Sequence, residues 1–387
     1  MVNKQHPLKI VIFSFIPLIL LVTCLELGAR TYFALKYKTG RYLSYGFDVR
    51  HQGAGNNGPS EKIVMYDRVK HEIIKMPDGT KYCKSKPGVY NQRYGSREFK
   101  VAVNSLGFRG KEFSAEKPDG VYRIFCLGGS STEGLEVEDG NDYPSILEKK
   151  LNAIDLPVRA EVMNAGYMGS TSKTILSLFT NEILRYRPDL ITFYEAFNDY
   201  HRVDDLSPVT RHFAAVPHLF NLLYSKSLLF SIIIEKNCIF KKKVYSKELI
   251  AKIMREFSKN LRELVAKARE HGIGIILAKQ GTVIKGYDMY FDPKQVEAIR
   301  VKVNAGQPVT REDIYYYLHA LTRNAIDEIA RDMSVKTVDI HTELLKHPSE
   351  EVYYDIVHLT EKGNEVIASG LVDAVKEEIS KELRLKS

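Results

Sequence analysis

VYRIFCLGGSSTEG, running from Val121 to Gly134, is the stretch that decides how the rest of the chain is read. Tyr122–Leu127 is an apolar run broken only by Arg123, the pattern of a strand covered on both faces. Gly128 and Gly129 end it, and Ser130, Ser131 and Thr132 follow. Glycines placed after a strand let the chain turn sharply and lift a hydroxyl above the sheet edge, with backbone N–H groups beside it. Taken alone, such a loop is as well read as a plain turn or a phosphate cradle. No Gly-Lys-Ser/Thr follows and no third spaced glycine is present, so a nucleotide-binding reading lacks its parts.

Working outward, apolar runs fit further strands at Ala160–Asn164, Leu190–Tyr194, Gly274–Ala278 and Val335–Asp339. Helical periodicity falls between them near Tyr143–Ile154, Thr171–Arg185, Lys247–Glu270 and Ile314–Asp332, with a last helix near Thr360–Leu383. Repeated β–α alternation predicts a parallel sheet with helices on both faces. Right-handed crossovers then bring the strand carboxyl ends to one edge, where a site is assembled. Residues 201–246 and 280–312 interrupt the alternation. Both follow strand ends, and they read equally well as walls over the site or as ordinary surface insertions.

Three more segments stand just past predicted strands. In Asn164-Ala165-Gly166-Tyr167-Met168-Gly169-Ser170-Thr171, a glycine opening a helix can aim its amide at a developing negative charge. In Glu195-Ala196-Phe197-Asn198-Asp199, the Asn198 amide can donate to the same spot. In Asp355-Ile356-Val357-His358-Leu359-Thr360, an aspartate three residues before a histidine can reach Nδ1 and turn Nε2 toward a nucleophile. Each segment singly has a bland explanation: a turn, a cap, a solvated ring. Jointly they supply a nucleophile, two oxyanion donors and an oriented base, in order and on one sheet edge.

At these residues the chain resembles the SGNH (GDSL-type) hydrolase superfamily over roughly residues 121–379. The resemblance implies a three-layer α/β/α, flavodoxin-like fold with sheet order 2-1-3-4-5, and ester or related acyl chemistry. It maps the nucleophile onto Ser130, with Ser131 as the residue to test in its place. The oxyanion hole maps onto the backbone of Ser130 and Gly169 with the side chain of Asn198, and the base pair onto His358 and Asp355. The segment Asn104-Ser105-Leu106-Gly107-Phe108-Arg109-Gly110 also resembles one that precedes the core in membrane-anchored bacterial members. Gly129 stands where the family usually has Asp, and Ala196 where it usually has Gly. The first loses hydrogen bonds that brace the loop, and the second needs a negative φ.

The expected chemistry is an acyl-enzyme on acylated cell-envelope glycans, as O-acetyl esterase or acyltransferase. A lipase or lysophospholipase is the alternative, with the apolar stretch 219–234 covering an acyl chain. A catalytically silent glycan-binding or assembly protein is the third reading.

The amino terminus sets the compartment. Lys4, His6 and Lys9 precede Ile10–Leu25, 16 residues without a charge; as a helix they span about 24 Å, and about 30 Å with Glu26–Ala29 included. The reading favoured here is an uncleaved signal anchor, a single transmembrane helix in residues 1–30 with the rest outside the cytoplasm. A cleaved signal and a lipoprotein signal at Leu21-Val22-Thr23-Cys24 compete with it. Residues 31–118, rich in Tyr, Lys and Gly, read as an extended, partly β module, and residues 119–387 as the hydrolase domain.

The chain has 387 residues, with 56 Lys plus Arg against 48 Asp plus Glu, a net charge of +8. A hydrophobic share of 44% and a charged share of 27% exclude general disorder. Lysines and arginines are scattered, which argues against a nucleic-acid partner. Four cysteines cannot replace a core; Cys126 reads as a buried small hydrophobe, and Cys83 and Cys238 as candidates for a pair. There is no Cys-x-x-Cys and no His/Cys cluster at metal-ligand spacing, so no metal or other cofactor is expected.

Overall fold

The computed structural model describes residues 20–32, 69–94, 97–201, 203, 242–284, 286–287 and 289–386. The chain divides into two compact units. One comprises Met1–Ile63 and Ser207–Lys243. Its described part is chiefly a helix over residues 20–32, with Arg30 paired to Glu26 at 2.6 Å and Leu20, Leu21, Val22, Leu25 and Leu27 exposed. Among the described residues no helix is long and apolar enough to cross a membrane. Most of the expected anchor, Ile10–Leu25, lies outside the described residues, as does nearly all of 201–246 with its stretch 219–234.

The other unit, Val64–Leu206 with Val244–Ser387, holds a five-stranded parallel sheet. Its strands are β1 (Val121–Gly128), β2 (Arg159–Gly166), β3 (Leu190–Tyr194), β4 (Gly274–Ala278) and β5 (Lys336–Val338). Their order across the sheet is β2-β1-β3-β4-β5, the order the resemblance implied.

Strand β1 is central, and Ile124, Phe125, Cys126 and Leu127 are wholly buried, because alternate side chains enter different helical layers. Phe125 and Leu127 join the core formed with Phe257, Leu261, Leu264 and Ile326 of helices Lys247–Glu270 and Arg311–Asp332. Ile124 and Cys126 join the core formed with Leu147, Ile367, Leu371 and Val375 of helices Tyr143–Asn152 and Glu361–Lys386. Burial pushes the Cys126 thiol up to about 12, so it is inert as a nucleophile.

Helix starts are written locally. Asp142, Ser246 and Asp292 each cap a following helix through the side chain, and Thr310 with Asp313 forms a reciprocal capping box. The Asp292 cap starts a helix, Pro293–Asn304, inside the stretch read as an interruption. The helix expected over Thr171–Arg185 runs as Ser172–Leu178, widens at Phe179–Ile183 and tightens at Leu184–Tyr186.

Upstream of the sheet lie two antiparallel hairpins, His71–Lys75 with Lys81–Ser85 and Gly88–Tyr94 with Arg97–Val103. The segment after them delivers Arg109 into the interior, where it is 4% exposed. Its guanidinium donates to the backbone carbonyls of Glu133, Gly134, Val137 and Glu138. Arg109 thus straps down the loop that follows Ser130. Cys24, Cys83 and Cys126 are free thiols, and Cys238 lies outside the described residues.

Candidate active site

Register brings the first three blocks to one edge: Gly128 of β1 is level with Gly166 of β2 and with Tyr194 of β3. Ser130 opens the short helix Ser130–Glu133, which Gly129 precedes with φ −94°. The Tyr167 N–H donates to the Gly128 carbonyl at 3.2 Å, and the Asn164 amide donates to the Thr132 carbonyl at 2.8 Å, so the second block is stitched to the first. The third is stitched to the second by Asp199, which accepts from the Ser172 N–H at 2.8 Å and its hydroxyl at 2.6 Å.

The fourth block closes the site from residues 228 positions further along. Asp355 Oδ1 accepts from the N–H groups of Val357 and His358 at 2.9 and 2.8 Å, an Asx turn that folds the ring back over the carboxylate. Asp355 Oδ2 lies 2.7 Å from His358 Nδ1, and His358 Nε2 lies 2.8 Å from Ser130 Oγ. The neighbouring Ser131 hydroxyl is buried and donates to the Val357 carbonyl at 3.0 Å. It does not face the ring.

Gly169 takes φ +73°, a conformation glycine adopts without penalty. Neither its N–H nor that of Ser130 donates to another group among the described residues. The Asn198 amide donates to the Ser170 carbonyl at 3.1 Å and, at 3.3 Å, to Glu195 Oε2, a long contact for a carboxylate acceptor.

The departure at Gly129 has a physical answer, in Glu195. A Cβ at residue 129 would fall 2.2 Å from Glu195 Oε2 and 2.6 Å from Asn198 Nδ2. The space beside the loop is already filled by a carboxylate that arrives from the third block. Glu195 is buried and accepts from the N–H groups of Ala196 and Asn198 at 3.0 and 2.9 Å. Burial raises its carboxyl to about 8, against the backbone N–H groups of Asn198, Ala196 and Gly129, which favour the ionised form. Loop bracing is therefore relocated rather than lost. The other departure, Ala196, is not among the residues with positive φ, so alanine sits there without strain.

Sequence reasoning missed three further side chains. Gln280 Oε1 accepts from the N–H groups of Ala196 and Phe197, both at 2.8 Å; its signal was only a polar residue just past β4. Glu133 accepts from the Ser85 hydroxyl at 2.6 Å and from the Met168 N–H at 2.9 Å, tying a hairpin and the Gly169 loop to the nucleophile helix. Glu136 Oε1 lies 3.9 Å from His358 Nε2. Both glutamates sit within or just beyond the quoted Gly-Gly-Ser-Ser loop, but nothing in their spacing aims them.

Burial disfavours a charged His358 ring, yet the carboxylates of Glu136 and Asp355 outweigh it and raise the imidazole from 6.5 to about 10. Burial would likewise raise Asp355, but the ring and the two backbone N–H groups hold it below its usual range. Among the described residues no group of three or more His, Cys, Asp or Glu is placed to hold a metal ion.

A hydroxyl, a ring and a carboxylate chained on the carboxyl edge of a 2-1-3-4-5 sheet place the molecule among the serine hydrolases rather than the nucleotide binders that share this topology. The family model for the GDSL-like lipase/acylhydrolase family matches residues 126–366, more than half of the chain, and the chain belongs to that family, a serine ester hydrolase of the SGNH superfamily. Among solved structures it is similar to an acetylxylan esterase from Geobacillus stearothermophilus, at 18% identity over 67% of this chain and 94% of that one, with a TM-score of 0.42. A hydrolase from the metagenome of Lake Arreo, Spain, gives 17% identity over 67% and 96%, with a TM-score of 0.41. An acetyl xylan esterase, AlAXEase, gives 16% over 65% and 99%, with a TM-score of 0.40. No curated protein matches.

Proposed function

We propose that this chain is an exported esterase that removes or transfers O-acyl groups on cell-envelope glycans, with Ser130 as nucleophile, His358 as base and Asp355 as its orienting carboxylate. The observation that carries the reading is the unbroken chain from Ser130 Oγ through both ring nitrogens to Asp355, at 2.8 and 2.7 Å. As Oγ bonds to the acyl carbon, its proton passes to Nε2. The Ser130 and Gly169 N–H groups and the Asn198 amide then receive the oxyanion. Collapse breaks the bond to the alcohol, which leaves with the proton from Nε2. Water, or an acceptor hydroxyl, returns a proton to Nε2 as it attacks the acyl-enzyme, and Ser130 is freed.

Export and anchoring rest on the sequence before residue 30 and on the exposed leucines of the helix over residues 20–32. A hydrophilic alcohol is favoured by Glu136 and by the Arg97–Tyr354 pair, 2.8 Å apart, next to the fourth block. The deciding test is incubation of the full chain with O-acetylated glycans and with phospholipids, measuring which releases acid. Release from phospholipid alone would sink the glycan reading.

Two further outcomes are expected. Asn198→Ala lowers kcat by about 10²–10³-fold, the usual effect of removing one oxyanion donor, while stoichiometric fluorophosphonate labelling of Ser130 is retained. An unchanged kcat would remove Asn198 from the hole. Because a protonated ring cannot take the Ser130 proton, and the carboxylates beside His358 raise it to about 10, kcat/KM climbs with pH across the range between about pH 7 and 9, by up to about tenfold per unit. A flat profile over that range would show that the ring is already neutral there.

A further inference from the structure

We propose that Glu136 reads the alcohol side of the substrate, accepting a hydrogen bond from a hydroxyl on the carbon next to the scissile ester, so that the preferred substrates are monoesters of vicinal diols such as partly acylated sugars or glycerol. The inference rests on the assignment of Ser130 and His358 above, and it names a substrate class for that site.

The geometry behind it is simple. Nε2 must hand its proton to the leaving oxygen, which therefore comes to about 3 Å from it. Glu136 Oε1 addresses that same nitrogen at 3.9 Å. The carboxylate is thus within reach of the alcohol as that alcohol takes its proton from Nε2. A hydroxyl on the adjacent carbon, gauche to the ester oxygen, points into the gap between them.

Glu136 is also built to wait for a donor. Its side chain is about nine-tenths buried, with 10% exposed, yet no side-chain donor among the described residues is hydrogen-bonded to it. The charged and titratable groups around it are His358 and Asp355 of the fourth block, Arg109 from the segment upstream of the sheet, and Tyr354. The two terminal nitrogens of Arg109 donate to backbone carbonyls, including that of Val137 at 2.7 Å, and its Nε lies 3.7 Å from Asp142 Oδ2, so it holds the chain beside Glu136 without a bond to the Glu136 carboxylate. Its own backbone N–H bonds to the carboxylate and leaves acceptor capacity over, and a buried carboxylate of that kind favours a substrate that brings an O–H and disfavours one that brings a negative charge.

The test compares 2-hydroxyethyl acetate with its methyl ether, 2-methoxyethyl acetate, on the full chain. Both esters pass through the same His358 step, so any change in the ring's basicity cancels in the ratio of their kcat/KM values. The wild-type ratio is expected to favour the hydroxy ester by about tenfold, the scale of one hydrogen bond to a charged acceptor. It should fall part way in Glu136→Gln and to near one in Glu136→Leu. Fluorophosphonate labelling of Ser130 in each variant reports that the site is intact. A wild-type ratio near one, or a ratio that survives Glu136→Leu, overturns the inference while leaving the nucleophile assignment standing. Hydrolysis of either ester that survives Ser130→Ala overturns both.

Discussion

Ser130→Ala should lower kcat on a short-chain nitrophenyl ester by about 10⁶-fold, the loss seen when a catalytic serine acting as part of a unit is removed. Nothing nearby can take over. The Ser131 hydroxyl is committed to the Val357 carbonyl at 3.0 Å and faces away from the ring. His358→Ala should cost about as much, and the double variant hardly more, because a base without its nucleophile accelerates nothing. The binding of ester would be retained, since the oxyanion donors are largely backbone. The measurement is steady-state kinetics on all three variants beside fluorophosphonate labelling of the wild type. Full activity in Ser130→Ala, or additive losses in the double variant, would remove Ser130 from the role.

The second large effect concerns a residue that conforms to the family pattern only when it is made wrong here. Gly129→Asp restores the usual family residue, and it is expected to destabilise the fold by about 3–5 kcal/mol, as a second carboxylate is forced into buried space without a partner. The space is occupied: a Cβ there falls 2.2 Å from Glu195 Oε2. Glu195, already raised to about 8 by burial, would be pushed higher still by a second carboxyl beside it, so the two cannot both ionise there. Combining Gly129→Asp with Glu195→Ala should recover about 2 kcal/mol of that loss as a coupling energy, and some turnover with it. Denaturant unfolding of the two single variants and the double closes the cycle. A Gly129→Asp variant as stable as wild type, or strictly additive losses, would mean that the two carboxylates do not compete for one place.

Those two residues also mark where the sequence stops being legible. The strands and the four blocks are readable because each carries its signal within a few residues: an apolar run, then glycines and a hydroxyl, or an aspartate three positions before a histidine. The sheet order follows from handedness and from the resemblance. Compensation between blocks leaves no such local trace. Gly129 reads as a deficit, and Glu195 reads only as the first residue past β3; only the register that levels Gly128 with Tyr194 shows that one supplies what the other lacks. Glu136 is hidden for a related reason, since its partner His358 is more than two hundred positions away. The hairpins in His71–Val103 were expected only as a partly β module. The first strand, His71-Glu72-Ile73-Ile74-Lys75, is mostly exposed and carries no clean alternation, whereas Phe99, Val101 and Val103 of Arg97–Val103 do alternate into the interior.

The Arg109 strap has a bearing on how this chain can be cut, grafted or diversified. The loop carrying Ser130 is clamped from a point upstream of β1, by a single guanidinium holding four carbonyls. Residues 126–366, the span matched by the family model, include the clamped loop but not its clamp. A minimal unit trimmed to that span would keep the serine, the ring and the carboxylate, yet cut through β1 and leave the loop that presents Ser130 and Glu136 without its clamp. Residues 104–110 must therefore travel with the nucleophile whenever the domain is transplanted, and the segment that joins them to β1 goes with them, since Phe113 packs on Phe125 and the Ser114 carbonyl accepts from Arg123.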